Sequence, residues 1–122
     1  MIQFRLPYPP TMNEYWHHTR TGQTYISTKG RDYRKNVVMM LHAARVEKAF
    51  GPLRVTLDVH KPDRRRRDLD NLLKPLFDAL QHGGAYEDDS QIEKFTVENR
   101  APVERGAVVV TITQHVPEAA LF

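Results

Sequence analysis

Residues 53–60, Leu53-Arg54-Val55-Thr56-Leu57-Asp58-Val59-His60, alternate apolar and polar without interruption. A period of two marks a strand with one buried face, so this segment commits the chain to a sheet that another layer must cover. Further strands are read at 2–6, 23–27, 91–99 and 107–113, the first stopped by Pro7, Pro9 and Pro10. Two segments of helical periodicity supply the cover. Over 28–49, Tyr33, Val37, Met40, Leu41, Ala44 and Ala49 recur every three or four residues. Ser27 or Thr28 is placed to cap that helix, and Gly51-Pro52 to stop it. Over 71–82 the apolar stripe is Leu69, Leu72, Leu73, Leu76, Phe77 and Leu80, closed by Gly83-Gly84. Pro75 lacks a backbone donor and restricts Lys74, so a kink or an irregular first turn is expected there. The polar, aromatic stretch 11–22 reads as an exposed loop. At 122 residues there is room for one core. The expected fold is α+β: a single domain over 1–113, a mixed sheet of four to five strands packed with two main helices, and a loose tail over 114–122.

The absence of cysteine excludes a disulfide scaffold, a thiolate zinc site and a cysteine nucleophile. No run approaches 18 apolar residues, and the start MIQFRLPYPP has neither the cationic nor the long apolar stretch of a signal peptide. A soluble, cytoplasmic protein is therefore expected, with no membrane partner and no nucleotide cofactor. The net charge of +3 conceals a division: residues 1–67 carry +9 and residues 68–122 carry −6. The border lies inside Arg64-Arg65-Arg66-Arg67-Asp68-Leu69-Asp70. A basic face beside an acidic cluster suits an enzyme that acts on a polyanion through a metal ion.

Asp68 and Asp70 are two apart, and in extended chain they point the same way. The residue types suggest a strand end turning into a helix, with Asp70 or Asn71 as N-cap. A third acidic group, Glu87-Asp88-Asp89, follows the second helix. Twelve helical residues span roughly 18 Å, and the connection after them can extend to roughly 23 Å, so Asp88 or Asp89 can return to the helix start. Carboxylates with no His or Cys nearby in sequence suit a hard cation such as Mg²⁺. Lys74, four residues after Asp70, falls on the same helical face and can meet charge developing on a phosphate or orient the attacking water. Asp78, four further on, reads as the surface ion-pair partner of Lys74. Arg64 to Arg67 repel one another, and an adjacent polyanion relieves that. Tyr15, Trp16, His17 and His18 either stack on unpaired bases or pack on their own domain or a partner subunit. His42 and His60 read as structural.

Taken together, Asp63-Arg64-Arg65-Arg66-Arg67-Asp68-Leu69-Asp70-Asn71-Leu72 with Lys74, then Phe77-Asp78-Ala79-Leu80, then Asp88-Asp89-Ser90-Gln91, resemble the RusA family of Holliday junction resolvases. The likeness extends to Leu6-Pro7-Tyr8-Pro9-Pro10 with Asn13, and to Ser27-x-x-Gly30 followed by Tyr33-Arg34. It implies a small homodimeric, Mg²⁺-dependent endonuclease that nicks four-way DNA junctions in pairs, leaving 5′-phosphate and 3′-hydroxyl ends. The implied catalytic set is Asp68, Asp70, Asp89 and Lys74, with metal held by Asp68, Asp70 and Asp89 and by the adjoining Asp88. Arg67, together with Arg64, Arg65, Arg66, Lys74 and Asn13, is expected on DNA. Pro75 and the additional Glu87 depart from the pattern.

Two rivals stand beside this reading. A less selective metal nuclease of restriction type needs Asp/Glu-x-Lys after Pro62-Asp63, but Leu72 and Ile92 stand two residues before the candidate lysines. A catalytically inactive junction-binding protein would gain nothing from carboxylates set against phosphates.

Overall fold

A computed structural model describes residues 1–117. The elements are β1 (Ile2–Leu6), α1 (Met12–Tyr15), β2 (Trp16–His18), β3 (Thr24–Ile26), α2 (Thr28–Ala43), β4 (Leu53–His60), α3 (Asp70–His82), β5 (Ile92–Asn99) and β6 (Ala107–Gln114), with a 3₁₀ turn at Asp89–Gln91. The architecture is α+β in one small domain. A four-stranded mixed sheet has the order β1-β6-β4-β5, and β2 pairs with β3 in a separate ribbon. β6 runs antiparallel to both β1 and β4, whereas β4 and β5 are parallel. That parallel pair requires a crossover, and α3 lies in it.

The alternation in β4 does what its period implies. Leu53, Val55, Leu57 and Val59 are buried, while Arg54, Thr56, Asp58 and His60 point to the other face. The buried side meets Val37 and Leu41 of α2 and Leu72, Leu76 and Leu80 of α3 in one core. No helix among the described residues is long and apolar enough to cross a membrane.

Several local outcomes differ from the sequence expectation. The segment 11–22 is not simply loop: Thr11 caps α1, with Glu14 reaching back to complete a capping box, and Tyr15 is fully buried. α2 ends at Ala43 rather than near 49, because Arg45 turns left-handed at φ 54. There the Val46 and Arg45 amides donate to the Leu41 and His42 carbonyls, which closes a Schellman motif and leaves Ala44 outside the helix. Helix α3 runs unbroken through the buried Pro75. Its N-cap is Leu69, in helical conformation and without a side-chain cap, so neither Asp70 nor Asn71 caps it. At the other end, β6 reaches Gln114, and the His115 amide donates to the Pro52 carbonyl. Of the expected tail, 118–122 lie outside the described residues.

Candidate active site

Helical spacing sets Asp70, Lys74, Asp78 and Gln81 within one quadrant of α3, turned away from the buried Leu72, Leu76, Ala79 and Leu80. α1 and the start of β2 lie over this face. Tyr15 Oη donates to Asp78 Oδ2, and the Arg34 guanidinium of α2 donates to the same oxygen at 2.8 and 3.2 Å. His82 Nε2 stands 3.7 Å from the other carboxylate oxygen. Burial and the Asp78 carboxylate both push the Tyr15 phenol up, so it remains a proton donor. Asp78 is therefore engaged by Arg34 and Tyr15, and is not the partner of Lys74. The Lys74 ammonium instead lies over the Trp16 ring, 5.7 Å from its centroid.

Asp68 and Asp70 are exposed at the start of α3. The nearby cation that could have neutralised them, Arg67, turns to Asp63. After α3, Tyr86 is buried in the core and donates to the Phe77 carbonyl, and Ala49 donates to the Ala85 carbonyl. These contacts consume the slack of the return connection. The Asp89 amide then donates to Gln81 Oε1, which holds Asp89 over the middle and end of the α3 face rather than at its start. The Asp89 carboxyl is held above its ordinary value, chiefly by burial, then by the carboxylates of Asp88 and Asp78, with Lys74 opposing. Asp88 caps the 3₁₀ turn by accepting from the Ser90 amide, and that amide hydrogen bond lowers its carboxyl. Glu87 pairs with Lys48 at 2.6 Å. Among the described residues, no three His, Asp or Glu side chains gather around one point.

The arginine run divides. Arg64, Arg65 and Arg66 are exposed, but Arg67 is part-buried and forks onto both oxygens of Asp63. A groove of about 690 Å³ opens beside Asp68. Its walls include Tyr8, Lys29, Asn36, Arg66, Asn71 and Arg105. Asn13 is exposed on α1. A smaller recess of about 470 Å³ is lined by Met12, Trp16, His18, Thr24 and Lys74.

Sequence reasoning placed the carboxylates and Lys74 on or beside α3. It missed Arg34 and the support given by Tyr15 and Trp16. The Thr11-x-x-Glu14 capping signature was the available signal that a helix begins in this segment. Lys29 and Arg105 reach the groove from distant segments, and no local pattern marks them.

The donor set, all oxygen and open to solvent, suits Mg²⁺, which keeps several waters and takes one or two carboxylates together with substrate phosphate rather than a closed protein cage. Asp68 and Asp70 fit that description, and Asp89 carries a charge that a cation would relieve. The family model described as Endodeoxyribonuclease RusA matches residues 7–113. The chain is 41% identical over 110 residues to a crossover junction endodeoxyribonuclease RusA of Shigella sonnei, covering 89% of this chain and 91% of the relative. It is 44% identical over 115 residues to the protein of that name from Enterobacteria phage HK97, covering 92% and 93%. The protein of that name from Enterobacteria phage 82 is 40% identical over 110 residues, covering 89% of this chain and 91% of the relative.

Proposed function

This chain belongs to the RusA family of endodeoxyribonucleases, and from that premise we propose that it resolves four-way DNA junctions as a Mg²⁺-dependent endonuclease of the bacterial cytoplasm. The observation that carries the reading is the face of α3. Asp70 and Lys74 lie one turn apart, Asp89 is folded back over the same face, and Asp68 stands at its start beside exposed arginines.

The chain's own groups divide the work. Arg64, Arg65 and Arg66 draw the phosphate backbone to the start of α3, and Asn13 meets it from α1. Asp68 and Asp70, exposed at the start of α3, are the residues that would hold Mg²⁺ together with substrate phosphate, and Asp89 lies further along the same face. When bound, that ion supplies Lewis acidity, polarising the phosphoryl oxygen and making a water acidic enough to attack. Water adds to phosphorus and the bond to O3′ breaks, which leaves a 5′-phosphate and a 3′-hydroxyl. Lys74 offers its ammonium to the charge that develops on the phosphoryl oxygens, a contribution on the order of 10²–10³ in rate for a single well-placed donor.

One domain carries one such site, whereas a four-way junction presents two equivalent strands. A two-fold homodimer supplies the paired nicks.

The test is cleavage of a synthetic four-way junction, a linear duplex and a flap, with and without Mg²⁺, alongside sedimentation to give the assembly mass. Symmetric nicks confined to the junction, dependent on Mg²⁺ and abolished in Asp70→Asn while junction binding survives, are the expected result. Equal cutting of linear duplex would make it a general nuclease. Binding without any cutting would make it a junction-binding protein.

A further inference from the structure

We propose that Trp16 is a positioning residue for Lys74: its ring face holds the ammonium in the orientation that the phosphoryl group meets. The inference rests on the reading of Lys74 given above, and its observations are independent of that reading.

A lysine on an exposed helix face can pair with a carboxylate four residues to either side, here Asp70 or Asp78. Asp78 is already occupied by Arg34 and Tyr15. Among the described residues Lys74 makes no ion pair with Asp70 either, and its ammonium lies over the indole. The indole is itself fixed. Tyr15 and Trp16 meet edge to face, with ring centroids 4.4 Å apart and planes at 64°. Tyr15 is fully buried and anchored through Asp78 to both α2 and α3. Trp16 also opens β2, where it pairs with Ile26 of β3. A chain of rigid groups therefore runs from Arg34 through Asp78 and Tyr15 to Trp16, and it ends on the flexible four-carbon side chain of Lys74.

Lys74 is exposed, and the recess it lines with Trp16, Met12, His18 and Thr24 leaves its ammonium accessible to a phosphate. Trp16 is half-buried and bears Lys74 over its ring. A cation held by an aromatic face keeps its charge and its three donors, whereas one held by a carboxylate would arrive partly neutralised.

The wild-type protein, free of DNA and metal, provides the first measurement. In a proton–carbon spectrum with labelled lysine, the ring current of Trp16 should shift the ε-methylene protons of Lys74 upfield of the other lysines. An unshifted Lys74 signal overturns the proposal without any variant.

Trp16→Leu, with cooperative unfolding and metal-free junction binding retained, should lose that shift. Its kcat should fall on the order of 10²-fold with KM little changed, the cost expected when a catalytic group loses its aim. Trp16→Phe, which keeps an aromatic face, should restore the shift and most of the rate. A Trp16→Leu protein that cleaves at the wild-type rate, while Lys74→Ala does not cleave, overturns the positioning role alone. A Lys74→Ala protein that cleaves normally overturns the catalytic reading of Lys74 and the positioning role with it, even where the spectrum shows the contact.

Discussion

Asp63 receives Arg67 in a two-point fork, at 2.5 and 3.1 Å, and also accepts from the Arg65 amide. The Arg67 hydrogen bond first, then the Arg65 amide, pull its carboxyl from the ordinary range down to about 2. A depressed acid contributes to folding above its unfolded value, and that contribution disappears as pH falls through the folded one. The fork should therefore hold at neutral pH and open only near pH 2. A carboxyl-carbon titration of Asp63 should show a midpoint near 2 in the wild type. In Arg67→Ala the midpoint should rise toward the ordinary carboxyl value of about 3.9. An unchanged midpoint would mean the fork does not form in solution. At the same scale, Arg67 differs in kind from its neighbours: it must leave a carboxylate before it can engage a phosphate, whereas Arg64 and Arg66 stand exposed.

At the scale of elements, α1 and α2 are joined by an unusually close approach. Ser27 caps α2 by accepting from the Gly30 amide, and its hydroxyl and its amide both reach the Tyr15 carbonyl. A Cβ added at Gly30 would run into that same carbonyl oxygen. Gly30→Ala should therefore force the two helices apart, costing about 1–3 kcal/mol as overpacking does. Urea unfolding measures this directly, and a wild-type midpoint would refute the close approach. Because Tyr15 carries Trp16, the same variant should also disturb the surroundings of Lys74. The two long helices end in the same motif with different chemistry. α3 closes through Gly84 at φ +82, the residue suited to a left-handed turn, and that end was legible. α2 closes through Arg45 at φ 54, a residue that carries no such signal, so its helical pattern appeared to run on to Gly51.

Across the whole molecule, the +9 and −6 halves meet at the Arg67–Asp68 border. The fold places the exposed arginines there beside the groove next to Asp68 and the start of α3. Replacing Arg64 and Arg66 together by Ala should weaken binding to every DNA tested and reduce the salt slope of log K by about 2, close to one for each lost phosphate contact. Titration of binding at several salt concentrations checks this. An unchanged slope would remove the run from the phosphate track.

The sequence alone determined the four strands of the main sheet, the α3 helix, the acidic and basic positions and the family they resemble, because each is written in consecutive residues through period, capping or composition. β4 and α3 were legible for that reason, as was the placement of Asp68, Asp70 and Lys74 at the start and along the face of α3. Tertiary structure decided which charge meets which. Asp78 turns to Arg34, Lys74 turns to Trp16, Arg67 turns to Asp63, and Asp89 stops at Gln81. Each side chain has several partners within reach along its own segment. The choice among them falls to groups that distant segments bring in and that packing holds in place.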